Sequence, residues 1–219
     1  MIPSLRACVF VGPSLDPSTL ALSPALSALQ WFPPARRGDI PRVLEEGYQI
    51  IGLIDGEFQQ RCAPSPKEML AALKARVTLI GGGSMGALRA AEAMPYGMIG
   101  IGAIYKWYQS GRISRDDDVA VAYYVHQQRY VLTNVPMVNV LWTVDRGRRK
   151  GVWSTSTRRS IVKTARQFHW TDRTWAAIGE RLELPDLGNH PLVRDPQSDL
   201  KALDALAVVQ EVLRRLACQ

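Results

Sequence analysis

The sequence lacks the features that mark membrane and secreted proteins. Its 219 residues contain no apolar run that approaches the roughly 18 residues of a membrane-spanning helix. The apolar segment near the N-terminus, residues 7–11, ends at Gly12-Pro13 and is shorter than the hydrophobic region of a secretory signal. We therefore expect a cytoplasmic protein with no membrane partner.

Cysteine is scarce, and its placement predicts neither a disulfide framework nor a metal site. The three cysteines, Cys8, Cys62 and Cys218, are odd in number, far apart in the chain and free of C-x-x-C spacing. We expect three reduced thiols and no bound metal or cofactor.

Charge is unevenly distributed along an otherwise ordinary composition. Hydrophobic residues make up 47% and charged residues 21% of the chain, which is typical of a folded globular protein. The net charge is +7, and residues 101–219 carry 18 basic against 12 acidic residues, a net +6. Eight basic residues fall within 146–166, where they form either a solvated helix end or a surface for an acidic protein. No nucleic-acid motif accompanies them, so nucleic acid is not an expected partner.

The first half of the chain alternates buried strands with helices. Continuous apolar segments at 7–12, 49–56 and 77–83 predict strands, and a helix over 65–75 with Ser65 as its N-cap separates the last two. This pattern predicts an α/β fold, a mostly parallel sheet flanked by helices and Rossmann-like. The loops that follow these strands should meet at one edge of the sheet, where ligands bind in such folds.

The second half of the chain is mainly helical. Residues 119–125 predict one more strand, and from about residue 134 apolar residues recur every three to four positions. We predict two domains, an α/β core over 1–130 and an α-helical C-terminal region over 131–219 that packs on the core.

Two motifs overlap in the glycine-rich segment at 81–86. Gly81, Gly83 and Gly86 form G-x-G-x-x-G, a dinucleotide-binding pattern, but residues 100–107 lack the acid that would bind a ribose. No G-K-[ST] follows either, which excludes a P-loop. Read as G-x-S-x-G, the segment places Ser84 at a strand–helix bend, with Gly83, Met85 and Gly86 forming the turn and its oxyanion donors.

The sequence leaves the partners of Ser84 open. Asp55 directly follows a buried strand and is either an active-site carboxylate or a turn residue. A desolvated lysine can act as a general base, which makes Lys67 a candidate. Other candidate bases are His126, His169 and His190, and Arg36 and Arg37 are candidate anion-binding residues.

Seven segments, in order, resemble the TfuA-like core domain. They are VFVGPSL (9–15), PPARRGD (33–39), IGLIDGEF (51–58), KEML (67–70), GSMGALRAAE (83–92), GMIGIGAI (97–104) and DDDVAV (116–121). The resemblance implies a partner of the YcaO type, an ATP-dependent enzyme that modifies backbone amides of ribosomal peptides. It also implies hydrolysis of a thiocarboxylated, ubiquitin-like sulfur carrier to release sulfide for thioamide formation.

The same resemblance assigns site residues by matching position. The family's polar motif residues fall on Asp55, Lys67, Glu68, Ser84, Arg89 and Glu92. Two positions depart from the family pattern, because Pro66 and Tyr123 stand where the family often has histidine, and this favours Lys67 as the base. Catalytic roles are thus expected for Ser84, Lys67 and Asp55, and substrate-binding roles for the two loop arginines, Glu68, Arg89 and Glu92. The alternatives are a non-catalytic adaptor of a YcaO enzyme and an unrelated serine hydrolase.

Overall fold

A computed structural model describes residues 5–15, 24–58 and 62–218, and their contacts form two units. The first comprises residues 1–114 and 202–219, and the second residues 115–201. Strands of the first unit are β1 (Ala7–Phe10), β2 (Leu29–Phe32), β3 (Ile50–Leu53), β4 (Thr78–Gly81) and β5 (Ile99–Gly100). Its helices are α1 (Asp39–Glu45), α2 (Pro66–Lys74), α3 (Met85–Ala93), α4 (Gly102–Gln109) and all but the first two residues of α9 (Leu200–Ala217).

The five strands of the first unit form one parallel sheet in the order β2-β1-β3-β4-β5. This confirms the predicted α/β class with its flanking helices and helical C-terminal region. The chain leaves β1 toward one side of the sheet and leaves β3 toward the other, so the topological switch point lies between these two strands. A crevice forms there outside the carboxyl ends of the strands, which is the usual ligand site of open parallel sheets.

Each face of the sheet has its own apolar core. Phe10 and Leu53 point to the face covered by α1, α2 and α3. Val9 and Ile80 point to the other face, which residues 205–212 of α9 cover. Gly52 allows that helix to lie close, because a Cβ there would be 3.0 Å from Val212. The sheet is therefore buried on both faces, which explains why its strands are continuously apolar.

Local sequence signals fixed the start of α2 correctly. Ser65 caps the helix by accepting the Glu68 N–H at 3.4 Å, and Pro66 occupies its first position, as predicted. The sequence did not reveal β2 or β5, since the first mixes polar with apolar residues and the second has only two residues. Short edge strands are stabilised by pairing with a neighbour more than by their own composition.

The second unit is a set of helices with one hairpin. Its elements are β6 (Tyr123–His126), β7 (Arg129–Leu132), α5 (Met137–Arg149), α6 (Thr155–Gln167), α7 (Trp175–Arg181) and α8 (Pro191–Arg194). The strand predicted over 119–125 starts later and pairs antiparallel with β7. In the part of the chain that is described, no helix is both long and apolar enough to cross a membrane.

Candidate functional site

The loops that leave β1, β3 and β4 are joined to one another at the carboxyl edge of the sheet. The Asp55 N–H donates to the Phe10 carbonyl at 3.2 Å, which links the β3 loop to β1. On the other side, the Gly82 N–H donates to the Leu53 carbonyl at 3.2 Å. The three loops therefore form one continuous edge, as the sequence predicted for segments that follow parallel strands.

Asp55 is buried, and its carboxylate holds the β1 loop in place. Its Oδ2 accepts the N–H groups of Gly12 and Ser14, both at 2.9 Å, and its Oδ1 accepts the Ser14 hydroxyl at 2.6 Å. Both carboxylate oxygens are thus engaged, and only 2% of the residue is exposed. Sequence reasoning missed Ser14, although its place in G-P-S directly after a buried strand could have drawn attention to it.

Ser84 lies at the bend between β4 and α3, where the sequence placed it. It occupies the N-cap position, yet its hydroxyl makes no capping hydrogen bond to the helix. Gly83 has φ +72°, a left-handed conformation that glycine adopts without strain, and this turns the chain into the helix. Ser84 as a residue is only 7% exposed, and its hydroxyl does not cap α3.

The glycines of the overlapping motifs serve mainly to bring α3 against the sheet. A Cβ on Gly86 would lie 1.7 Å from the Leu53 carbonyl oxygen, and one on Gly81 would lie 2.2 Å from the Gly86 carbonyl oxygen. The Gly86 N–H donates to the Ile54 carbonyl at 3.0 Å, so the fold already uses this donor. Met85, at the first helical position, has an N–H without an intrahelical acceptor.

The loop with Arg36 and Arg37 runs beside the Asp55 loop. A parallel bridge joins Ala35 to Gly56, through hydrogen bonds of 2.9 Å from the Ala35 N–H to the Asp55 carbonyl and from the Glu57 N–H to the Ala35 carbonyl. Both arginines are exposed, and Arg36 makes an ion pair with Glu57 at 3.4 Å. The bridge places these two exposed arginines at the edge that carries Asp55.

The first turn of α2 presents one exposed and one buried charge. Lys67 is exposed, so water solvates its ammonium group. Glu68 is buried, and its Oε1 accepts the Ser65 hydroxyl at 3.1 Å. Its Oε2 has no hydrogen-bond partner within the described residues, which leaves a buried carboxylate oxygen available to a donor.

Arg89 and Glu92 connect α3 to the segment that precedes α2. Arg89 donates from Nε to the Pro64 carbonyl at 2.8 Å and from Nη1 to Glu92 at 2.6 Å. A Cβ on Gly56 would lie 3.0 Å from Met85 and 3.2 Å from Pro64. The β3 loop, the start of α3 and the approach to α2 therefore converge, which brings the regions of Asp55, Ser84 and Glu68 together.

All three histidines lie in the second unit, whereas Ser84 lies in the first. His126 is an exposed residue of β6. His169 makes a 2.7 Å hydrogen bond with Thr171, and His190 accepts the Leu192 N–H at 3.1 Å, capping α8. Two of the three side chains thus have structural partners of their own.

The basic segment 146–166 is partly neutralised within the second unit. Three of its eight cations form ion pairs, namely Arg146 with Asp195 at 2.6 Å, Arg158 with Asp145 at 2.5 Å and Arg166 with Asp118. The exposed members of the segment are Arg148, Arg149, Lys150, Arg159 and Lys163. These five cations form what we call the basic surface.

A family model described as TfuA-like protein matches residues 55–174, which is more than half of the chain. The match begins at Asp55 and includes α2, the turn at Ser84 and most of the second unit. A search of curated proteins found no match.

Proposed function

This chain belongs to the TfuA-like family, and on that premise we propose that it hydrolyses a thiocarboxylated, ubiquitin-like sulfur carrier to release sulfide. The family is associated with YcaO-type thioamidation. In this proposal the protein supplies sulfide to a YcaO enzyme and assists it directly while a ribosomally made peptide is modified.

The observation that carries the proposal is the turn at Ser84. Its hydroxyl is not used as a helix cap, it lies at the carboxyl edge of a parallel sheet, and it precedes a nine-residue helix. The positive end of that helix and the Met85 N–H favour negative charge beside the hydroxyl. A serine placed in this way suits attack on an acyl group whose oxygen becomes an anion.

The chemistry is an acyl substitution that expels sulfur. The Ser84 oxygen, or a water that it orients, attacks the carbonyl carbon of the thiocarboxylate. A base takes the proton of the attacking O–H and passes it to the sulfur, the carbon–sulfur bond breaks, and hydrosulfide leaves with the bonding pair. Where Ser84 itself attacks, water hydrolyses the acyl-serine and restores the carrier's carboxylate. The site must stabilise an anionic substrate and an oxyanion, and Arg36 and Arg37 are suitable cations for that purpose.

Two carboxylates have different parts in this proposal. Asp55 positions the β1 loop, because both of its oxygens accept hydrogen bonds from that loop. Glu68 offers its free Oε2 to a backbone N–H of the carrier's C-terminal segment.

Arg89 and Glu92 hold α3 and the Pro64 segment together around the substrate. Lys67 remains the proposed base, and substrate binding would have to shield it from water for this role.

A non-catalytic adaptor is the second candidate, and one observation favours it. Both carboxylate oxygens of Asp55 already accept hydrogen bonds from the β1 loop, which leaves this carboxylate less suited to act on a substrate. In that case the edge of the sheet would bind a partner rather than transform a substrate, and the basic surface would dock an acidic protein.

Sulfide release by Ser84→Ala distinguishes the candidates. Purified protein is incubated with a thiocarboxylated carrier, and free sulfide is measured over time. Ser154→Ala is the matched control, since Ser154 caps α6 in the other unit. The hydrolase proposal expects sulfide from wild type and Ser154→Ala but not from Ser84→Ala.

Other outcomes are equally informative. If wild type releases no sulfide but still stimulates the YcaO enzyme, the adaptor proposal is supported. If Ser84→Ala releases sulfide at the wild-type rate, Ser84 is not the nucleophile. Turnover of simple esters without any carrier would favour an unrelated serine hydrolase.

A further inference from the structure

A pocket of about 410 Å³ opens at the amino edge of the sheet, opposite the edge that carries Ser84. This volume is within the range of small-molecule sites, about 300–1,000 Å³. Its lining residues come from the starts of three strands and the end of α9. They are Leu5, Gln49, Ile50, Arg76, Thr78, Arg214, Arg215 and Cys218.

Two of the arginines are held in place by one carboxylate. Glu211 accepts two hydrogen bonds of 2.8 Å from Arg214 and one of 2.6 Å from Arg215. Each guanidinium has five N–H donors in a planar fork, so both retain donors that Glu211 does not use. The pair is therefore oriented before any ligand arrives, which reduces the entropy lost on binding.

The third arginine has no counter-charge of its own. Arg76 follows α2, where its N–H donates to the Leu73 carbonyl at 3.0 Å and its φ is +59°. It forms no ion pair within the described residues. The lining thus contains three guanidinium cations, of which Arg214 and Arg215 share the carboxylate of Glu211.

The neutral polar groups of the pocket also favour a ligand that carries hydrogen-bond acceptors. The Gln49 Oε1 accepts the Arg6 N–H at 3.1 Å, which leaves the amide NH₂ as the free end of the side chain. Thr78 adds a hydroxyl, and Leu5 and Ile50 add apolar surface. The lining therefore consists of hydrogen-bond donors beside a small apolar wall.

We propose that this pocket binds a small molecule through a phosphate-type oxyanion. Guanidinium groups bind phosphate in a bidentate manner, and a phosphate monoester carries a charge of about −2 at neutral pH, so it can pair with more than one of the three arginines. A carboxylate carries only half of that charge. The inference does not depend on the proposed hydrolysis, because it concerns residues at the opposite edge of the sheet.

Cys218 makes the site measurable without knowledge of the natural ligand. Its thiol lines the pocket and is exposed, Cys62 is exposed elsewhere, and Cys8 is buried. The rate of alkylation of Cys218 is followed by mass spectrometry in native buffer, with Cys62 as internal reference. Pyrophosphate, phosphate and acetate are the probes, at equal ionic strength because salt screens exposed charges.

We expect pyrophosphate to slow alkylation of Cys218 saturably while the rate at Cys62 is unchanged, with phosphate weaker and acetate without effect. Arg76→Gln should weaken the apparent affinity about tenfold or more, as expected when a charge-assisted hydrogen bond is lost. Lys74→Gln is the control, since it removes a nearby charge that does not line the pocket.

Three results would overturn the inference. They are the absence of protection by any phosphate probe, equal slowing at Cys62, and equal weakening by Lys74→Gln, which would indicate a general charge effect. Should Arg76→Gln fold poorly, Arg215→Gln gives the same test, because Arg214 keeps its own two hydrogen bonds to Glu211.

Discussion

The two units of the molecule stabilise their buried carboxylates in different ways. In the first, Asp55 accepts backbone N–H groups from the β1 loop, and Asp204 accepts those of Ala103 and Ile104 at 3.0 and 2.7 Å. In the second, the buried Asp117 and Asp118 pair with the side chains of Arg115 and Arg166, and Asp118 also accepts the Arg115 N–H at 3.3 Å. The first two carboxylates accept hydrogen bonds from uncharged donors, whereas the second two are also neutralised by guanidinium groups.

The difference follows from what surrounds each carboxylate. Strand-end loops and the N-terminus of α4 have backbone N–H groups without partners in regular structure, and a buried carboxylate satisfies them. Gly102, whose Cβ would lie 2.2 Å from the Asp204 carboxyl carbon, permits this close approach at α4. In the second unit the buried Asp117 and Asp118 lie beside the guanidinium groups of Arg115 and Arg166, which supply the positive charge that the first unit's two carboxylates lack.

Loss of the backbone-binding carboxylate at Asp55 should have the largest effect. Asp55→Ala leaves the buried N–H groups of Gly12 and Ser14 without an acceptor. We expect it to lower the free energy of unfolding by about 3–5 kcal/mol, because hydrogen bonds to charged groups contribute about 1.5–3 kcal/mol each and are not fully additive. Denaturant unfolding of the purified proteins measures this change.

Asp55→Asn is the informative control for that substitution. It keeps one carbonyl oxygen as an acceptor but turns an NH₂ group toward the donors of the β1 loop. We therefore expect a loss in the free energy of unfolding between zero and that of Asp55→Ala. If Asp55→Ala unfolds at the wild-type denaturant concentration, the carboxylate does not hold the β1 loop.

In the second unit, removing Arg166 and removing its ion-pair partner Asp118 should lower the free energy of unfolding by different amounts. Asp118 is 1% exposed, whereas the Arg166 side chain is 31% exposed. Arg166→Ala leaves the buried Asp118 carboxylate without its ion-pair partner and should cost about 3 kcal/mol, as is typical of broken buried pairs. Asp118→Ala leaves a cation that reaches water and should cost about 1–2 kcal/mol. A double-mutant cycle with denaturant unfolding checks both values, and equal costs would contradict the asymmetry.

Both ways of holding a carboxylate occur in α9, and they predict opposite pH dependence. Burial raises the pKa of Asp204 above its ordinary 3.8, despite the two N–H groups that it accepts. Hydrogen bonds from Arg214 and then Arg215 outweigh burial at Glu211 and lower its pKa from 4.5 to about 2. The stabilising contribution of Asp204 is therefore complete below pH 3.8 and is lost as the pH rises through its folded value. That of Glu211 is complete above pH 4.5 and is lost as the pH falls toward 2.

Asp204→Asn and Glu211→Gln separate the two contributions. The difference in unfolding free energy between wild type and Asp204→Asn should fall as the pH rises from about 4, whereas the difference for Glu211→Gln should rise between about pH 2 and 4.5. If both free-energy differences changed with pH in the same direction, the two carboxylates would be stabilised in the same way.

The smallest effect on stability is expected at Ser84, whose hydroxyl makes no capping hydrogen bond to α3. Ser84→Ala should change the free energy of unfolding by less than about 0.5 kcal/mol, whereas Ser154→Ala, which removes a true cap, should cost about 1 kcal/mol. Thermal unfolding of both variants gives the comparison. A loss at Ser84 as large as that at Ser154 would assign the hydroxyl a structural role.

Much of the candidate site was predictable because its signals are local. The apolar strand before Gly81, the bend at Ser84 and the cap at Ser65 each depend on residues within a few positions of one another. The start of α7 is less local, because Thr174 caps it by accepting the Ala177 N–H at 3.0 Å although Thr171 stands nearby. Both threonines precede the same apolar pattern, and only packing selects the starting residue.

The sequence by itself determined the alternation of buried strands and helices, the family, and the position of Ser84 in a strand–helix turn. Only the tertiary structure decided that Asp55 is committed to Ser14, that Gly86 gives its N–H to Ile54, and that the end of α9 completes a basic pocket. Each of these contacts joins residues about 30 or more positions apart. Such pairs form only once the sheet has brought its strand ends together, so no local pattern records them.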